Sequence, residues 1–330
     1  MNDLILNFFQ KLNSPKTSLD QLANDVLRLS DYFIQHPDKV TPWSETYCKN
    51  AYRFYFLPLN YLRVMNVIRR GKSVNYFKNI QSIVDWGAGP GTATIAFSSF
   101  FPDLKKIKMI DRDSSLFQEF KDLHPNIPIE YDIKLTPSVN KNSLLIFSYS
   151  LTELSQWPKE ALTYDHIMIL EPSTKQDGRR LLDYRNQWIQ NGYYVWAPCV
   201  HQNACPLLTA SKSDWCHDRF HVQLPEWFQK LESKLPIKNK TITTSYLLLS
   251  KNKPEPSLNS ARLTGDSLQE KGKTRQLICR NSDREFLTWM HKSIDQQILN
   301  RGDLVELPSE AQYTKTSNEI RLHNKIKVIE

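Results

Sequence analysis

Three glycines, Gly87, Gly89 and Gly91, fall within five residues of a chain that holds only nine in all. Nine in 330 residues is about 3%, against a typical ~7%, so these three are placed for a backbone reason. They lie in Ile83-Val84-Asp85-Trp86-Gly87-Ala88-Gly89-Pro90-Gly91-Thr92, where an apolar run gives way to a helix-like one. Glycines there let the chain turn tightly and approach a ligand closely. Nicotinamide cofactors use a related turn, so the glycines alone do not choose the ligand. Asp85, two positions before Gly87, suits a ligand with a charged amine better than a pyrophosphate. Pro90 lacks the amide that a pyrophosphate site wants at a helix start. Asp111, in Met109-Ile110-Asp111-Arg112-Asp113, follows Gly87 by 24 residues. That is close to the ~20 expected of an acid that hydrogen-bonds ribose hydroxyls. Asp85, Gly87, Ala88, Gly89, Gly91 and Asp111 together read as a site for S-adenosylmethionine. A tight strand–helix turn without ligand is the plainer alternative.

Further acids and hydroxyls follow apolar runs. Asp132 ends Glu130-Tyr131-Asp132, placed either to reach an adenine amine or to stand in solvent. Ser148 and Tyr149 end another run, and Glu171-Pro172 a third. The carboxyl ends of parallel strands line the ligand crevice in such sheets, which makes these residues lining candidates. The crevice has no Asn-Pro-Pro-Tyr tetrad for exocyclic base amines and no Pro-Cys nucleophile for pyrimidine carbons. The acceptor atom therefore stays open.

A second constellation is built of thiols. Cys199, Cys205 and Cys216 occur within 18 residues, with His201, His217 and His221 among them. Cys279 would make a fourth if it folds back. Four thiolates hold tetrahedral zinc or an iron–sulfur cluster. The spacing is not the paired CxxC of zinc ribbons. Its long separations leave room for a larger object, and Cys205-Pro206 has the Cys-Pro ending of cluster-binding runs. Buried free thiols fit the same spacing. His201 and His217 read as neighbours of such ligands, and Cys48 as a core residue.

These groups need a scaffold. From residue 81 short apolar runs alternate with longer segments. Strands are expected at 82–86, 107–110, 129–131, 144–148, 166–170, 193–197 and 243–250. Helices are expected at 92–101, 115–123, roughly 153–162, and 178–190. Alternation of this kind means an α/β doubly wound sheet. Residues 1–80 read as helical, with apolar helical spacing over 19–36. Between residues 51 and 80 stand Arg53, Arg63, Arg69, Arg70, Lys72 and Lys78, no acid, and seven interleaved aromatics. Such a stretch suits an RNA backbone with stacked bases, or a helical core face with a solvated basic rim. Residues 251–258, with Pro254 and Pro256, read as a linker. Residues 259–330 read as a small C-terminal piece whose last twenty residues are polar and loose.

Composition sets outer limits. Hydrophobic residues make up 40% and charged residues 24%, which is globular usage. No run of about 18 apolar residues exists, so no membrane span is expected. Residues 1–18 carry no basic cluster and no arginine precedes Arg28, so neither a secretory nor a transit segment is expected there. Five cysteines, an odd number, point to a reducing compartment, read as cytoplasmic. The net charge of +8 permits a polyanionic partner without requiring one. Nothing here sets the oligomeric state.

The motifs taken together carry a resemblance. Val84-Asp-Trp-Gly-Ala-Gly-Pro-Gly-Thr-Ala-Thr94, Glu171-Pro172 with Gly178-Arg179-Arg180, Ala-Pro-Cys199-x-His201 with Cys205-Pro206, Asp214-Trp215-Cys216-His217 and Ser245-Tyr246-Leu247 resemble the methyltransferase-like proteins associated with the mitochondrial small ribosomal subunit and their bacterial homologues. The resemblance spans roughly residues 45–280. It implies a seven-stranded methyltransferase-type Rossmann sheet over 81–250, a helical N-terminal region, a Cys-rich metal-binding insertion at 198–222 and a small C-terminal extension. It also implies a role on the small ribosomal subunit and its 16S-type RNA. It implies a 4Fe–4S cluster on Cys199, Cys205, Cys216 and Cys279, with zinc as the other metal those thiols could take. Members of the family include proteins that look like binding scaffolds rather than methyl-transfer enzymes.

Overall fold

The computed structural model describes residues 2–12, 14–36, 39–151, 154, 156–236, 241–255, 259–292, 297, 299–308, 312–314 and 318–329. They form two compact units. One comprises 1–68, 79–168 and 221–242; the other comprises 69–78, 169–220 and 243–330.

The N-terminal region is helical, as its spacing suggests. It consists of α1 (Asn2–Leu12), α2 (Leu19–Gln35), α3 (Thr46–Ala51), a π-helical turn (Tyr52–Phe56) and α4 (Leu57–Ser73). Ser18 starts α2 by accepting a hydrogen bond from the Gln21 amide at 3.2 Å. Phe8 of α1 stacks on Tyr61 at 3.9 Å between ring centroids. The aromatics of 51–80 thus pack inward: Tyr55, Tyr61, Tyr76 and Phe77 are all buried.

Two of the basic residues of this stretch are drawn into side-chain pairs, while Lys72 and Lys78 are exposed. Arg63 is half-buried and donates to Asn60 Oδ1 at 2.8 Å. Arg70, in the second unit, is 5% exposed and its Nε stands 3.1 Å from Asp218 Oδ2. Local composition hides this pairing because the acid comes 148 residues later.

Strands and helices then alternate: β1 (Ser82–Trp86), α5 (Thr92–Phe100), β2 (Lys106–Ile110), α6 (Ser114–Leu123), β3 (Glu130–Asp132), β4 (Ser143–Ser148), β5 (His166–Glu171), α7 (Lys175–Gln190), β6 (Tyr194–Ala197), α8 (Pro206–Thr209), β7 (Asp218–Phe220), α9 (Glu226–Ser233) and β8 (Ile242–Ser250). The helix expected at 153–162 is a 3₁₀ turn over Lys159–Thr163; residues 152, 153 and 155 lie outside the described residues. The strand order is β3-β2-β1-β4-β5-β8-β6, with β7 paired to β8. β1 runs parallel to β2 and β4, β2 parallel to β3, and β6 antiparallel to β8. This is the α/β methyltransferase-like architecture, with one strand, β7, beyond the expected seven. Near-continuous apolar runs such as Leu144–Phe147 and Ile167–Leu170 are fully buried, as central strands covered on both faces require.

The C-terminal piece carries strands into its last twenty residues, which were expected to be loose. Residues 251–255 are irregular, and 256–258 of the expected linker lie outside the described residues. Beyond them β9 (Ser260–Glu270), β10 (Lys273–Cys279), β11 (Glu285–Met290), β12 (Leu304–Glu306), β13 (Gln312–Thr314), β14 (Glu319–Leu322) and β15 (Lys327–Val328) form a second sheet. Its order is β13-β14-β11-β10-β9-β12-β15. Its core includes Leu263, Ile278, Leu287, Trp289 and Ile320. Part of the polarity of this piece is buried in pairs. Arg280 grips Glu285 through two bonds of 2.7 and 2.8 Å, and Glu285 is 1% exposed. No helix among the described residues is long and apolar enough to cross a membrane.

Candidate functional site

Strand register brings four strand ends level. Trp86 pairs with Ile110 on one side and Phe147 on the other, and Ile110 pairs with Asp132. Gly87, Asp111 and Ser148 therefore emerge side by side. The Gly87 and Ala88 amides both donate to the Ile110 carbonyl, at 2.8 and 3.0 Å. Gly87, Gly89 and Gly91 have φ of +66°, +52° and +80°, which a side chain would strain. There is also no room: a Cβ on Gly87 would stand 2.6 Å from Ser150 Cβ, and one on Gly91 2.4 Å from the Phe120 ring.

Asp111 locks this turn. Its Oδ2 accepts from the Gly89 amide at 2.8 Å and its Oδ1 from the Asp113 amide at 3.0 Å. A carboxylate offers about four lone-pair sites, so about two remain for outside hydroxyls. Asp132 is held by its own loop: its Oδ1 accepts from the Ile133 and Lys134 amides, at 2.8 and 3.3 Å. Those bonds and the Lys108 ammonium keep its carboxyl below the ordinary range.

Asp85 is 1% exposed and lies under the turn, not on the surface of the crevice. Its Oδ2 accepts from the Thr94 amide at 3.1 Å and the Thr94 hydroxyl at 2.8 Å, which ties β1 to the first turn of α5. Its Oδ1 is buried without a partner among the described residues. Burial pushes this carboxyl up to about 7, with the Thr94 bonds opposing. Ser148 and Tyr149 are half-buried at the end of β4. Tyr149 has a φ of +60°, so local strain sits at the crevice.

Two residues at this turn went unread in the sequence. Trp43 Cζ2 lies 3.6 Å from where a Gly89 Cβ would stand. Tyr52 meets Trp43 edge-on, 4.9 Å between centroids. Burial pushes the Tyr52 hydroxyl up to about 12; Thr92 and Asn60 oppose this, and Tyr149 and Asp85 add to it. Tyr52 thus stands among the residues of the turn. Its special placement comes from the π-helical turn it opens, for which the sequence carries no local sign.

In the second unit the four thiols fall within one another's electrostatic reach. Cys199 and Cys205 raise both Cys216 and Cys279, each pushed up mainly by burial. Cys205 and Cys216 pack with Leu182, Leu207 and Leu277. Arg185, 1% exposed, organises the loop: its Nε is 3.2 Å from Cys199 Sγ, and it donates to the His201 and Asn203 carbonyls at 3.0 and 2.8 Å. His201 Nε2 is 3.2 Å from Cys279 Sγ. Burial lowers His201 to about 4 and His217 to about 3, with Arg185 adding to the first and Arg301, Arg219 and Arg262 to the second. Among the described residues no three His, Cys, Asp or Glu side chains converge closely enough to hold a single metal ion. The metal of the insertion expected at 198–222 is not shown by this arrangement.

A family model described as mitochondrial small ribosomal subunit Rsm22 matches residues 46–293, three quarters of the chain. The chain belongs to the Rsm22 family. The Rsm22 match takes in the glycine turn and all five cysteines, and leaves α1 and α2 outside. No curated protein matches the chain. Among solved structures, it is similar to a proposed RNA methyltransferase of Pyrococcus horikoshii, at 12% identity over 58% of this chain and 82% of that one, with a TM-score of 0.35. The plantazolicin methyltransferase BpumL, solved with S-adenosyl-homocysteine, is 12% identical over 71% of this chain and 98% of that one, with a TM-score of 0.35. TrmK of M. capricolum, also solved with S-adenosyl-homocysteine, is 9% identical over 56% and 69%, with a TM-score of 0.32.

Proposed function

We propose that this Rsm22-family chain binds S-adenosylmethionine at its glycine turn and acts as a methyltransferase on RNA of the small ribosomal subunit. The observation that carries the reading is the Gly89–Asp111 lock: an acid ending β2, fixed to the turn by an amide and left with acceptor sites for ribose hydroxyls. Three left-handed glycines whose missing side chains keep the backbone bare fit the same ligand. The cofactor would be held by the backbone of 87–91, by Asp111 at the ribose and by Asp132 at the adenine amine, with Ser148 and Tyr149 lining the crevice. S-adenosylmethionine supplies a methyl group on an already activated sulfonium, so positioning outweighs acid–base help. Asp85 keeps the turn in shape through Thr94. Trp43 and Tyr52 cover it and exclude water.

Calorimetric titration of anaerobically purified protein with S-adenosylmethionine tests this, with Asp111→Ala as control. Micromolar binding that the control loses is expected. No binding by folded native protein would overturn the cofactor reading and leave a binding scaffold of methyltransferase fold.

We also propose that Cys199, Cys205, Cys216 and Cys279 hold a 4Fe–4S cluster. Four thiols sharing one buried, arginine-rich neighbourhood support it, since cations compensate clustered thiolates. Anaerobic protein should be brown, with iron and sulfide at about four each. Stoichiometric zinc without visible absorbance would overturn this.

A further inference from the structure

The glycine turn is flanked by acids and aromatic rings, all within the first unit. Asp85 lies beneath the turn, and no cation among the described residues pairs with it. The charge that acts on it is that of Asp111, a second acid. Burial and that acid both disfavour the ionised carboxyl, with only the Thr94 bonds opposing. A cation held at the turn would offset both.

Two rings offer such a cation a place. Trp43 is half-buried, with Cζ2 3.6 Å from where a Gly89 Cβ would stand, so it lies against bare backbone. Tyr52 is half-buried too. Its hydroxyl lies near Thr92, which opens α5, and it feels the charges of Asp85 and of Tyr149, which follows β4. Tyr52 thus reaches from the start of α5 toward the end of β4. The planes of Trp43 and Tyr52 stand 71° apart, with centroids separated by 4.9 Å, and make two walls of a corner. No Lys or Arg among the described residues stands over either ring. Arg53, next to Tyr52 in sequence, lies instead over Phe54, 5.5 Å from its centroid. The face of an aromatic ring attracts a cation, and more strongly where water is excluded.

We propose that Trp43 and Tyr52 hold the sulfonium of S-adenosylmethionine against their rings, above the negative field of Asp85, and so select this cofactor over uncharged S-adenosyl-homocysteine. The proposal rests on the cofactor reading above and adds the basis of its selectivity. The two molecules share adenine, ribose and amino acid, so Asp111 and Asp132 treat them alike. They differ by one methyl group and one positive charge. Only groups that sense that charge, or touch that methyl, tell them apart. The spent cofactor has a neutral thioether where the sulfonium was, so the same two rings hold it less firmly and favour its release.

The test is calorimetric titration of the full chain with S-adenosylmethionine, S-adenosyl-homocysteine and sinefungin, in which a protonated amine replaces the sulfonium. The native chain should bind S-adenosylmethionine at least about fivefold more tightly than S-adenosyl-homocysteine, with sinefungin also ahead of the latter. Tyr52→Leu and Trp43→Leu should each lower that ratio about threefold, whereas Tyr52→Phe, which keeps the ring, should hold it within about twofold. Asp85→Asn, which keeps an acceptor for Thr94, should lower the ratio as well. A variant that merely loosens the turn weakens all three ligands alike and leaves the ratio where it was. Equal native affinities for S-adenosylmethionine and S-adenosyl-homocysteine would overturn this proposal and leave the cofactor site standing. So would sinefungin bound no better than S-adenosyl-homocysteine, or a native ratio retained in both leucine variants. No binding of any of the three by folded native chain would overturn the proposal and the cofactor reading together.

Discussion

The Gly89 amide donates to the Asp111 carboxylate across 2.8 Å, so the turn after β1 and the end of β2 form one piece. A hydrogen bond to a charged group contributes about 1.5–3 kcal/mol. Asp111→Ala should therefore lower stability by about that amount in chemical denaturation. It should also cut S-adenosylmethionine affinity beyond about tenfold in calorimetry, because the ribose acceptor goes too. A stability loss with unchanged affinity would make Asp111 a purely structural acid.

Gly91→Ala should be more damaging than its size suggests. The site combines a φ of +80° with a Phe120 ring carbon 2.4 Å from the new methyl. Strain of about 1–3 kcal/mol and overpacking of a similar ~1–3 kcal/mol both apply. Urea denaturation should show a lower midpoint than for Gly192→Ala, where nothing stands within 4 Å of the added carbon although φ is +86°. Equal losses would mean that Phe120 yields.

Asp85 sets a pH dependence. Burial raises its carboxyl to about 7, from 3.8. Between those values the folded chain keeps a proton that the unfolded chain has released. Stability from this group is thus fully present at acid pH and falls as pH rises through about 7. Asp85→Asn keeps an acceptor for Thr94 and removes the titration. Its denaturation midpoint should change less than the native one between about pH 5 and about pH 8. Parallel profiles would place the titrating group elsewhere.

Arg70→Ala tests the burial of the basic stretch. Arg70 faces Asp218, which also meets Arg262. Breaking a buried pair costs roughly 3–5 kcal/mol, here toward the lower end because Arg262 remains. The expected outcome is a lower melting temperature, with the salt slope of RNA binding unchanged in the protein that stays folded. A flatter slope at full stability would restore Arg70 to an RNA surface.

Arg185→Met should loosen the 199–203 loop by removing bonds to Cys199 and to two carbonyls. Anaerobic protein should then carry less iron, with weaker visible absorbance, than the native chain. Native iron content in the variant would assign loop order to the thiols alone.

The sheet was legible where chemistry and pattern agree. The run Ile83–Trp86 followed by three glycines announces a strand and a turn, and its expected span of 82–86 matches β1. The thiols of 199–216 were equally visible. What failed to show depended on partners far away in sequence. Arg70 looks solvated until Asp218 arrives. Glu319 looks like surface until Lys273 covers it, so the last twenty residues read as a polar tail. Trp43 and Tyr52 are two aromatics among many, and only their packing at the glycine turn sets them apart.

The π-helical turn has a consequence for chain length. Each bond in Tyr52–Phe56 closes over one residue more than in α3 before it or α4 after it. Deleting a single residue there would let the helix run on as unbroken α. The halves before and after would then stay in phase, since a π turn is an α turn with one residue added and little net rotation. The extra residue is thus an insertion absorbed where it stands: the chain gains one side chain beside the glycines while α3 and α4 keep their faces.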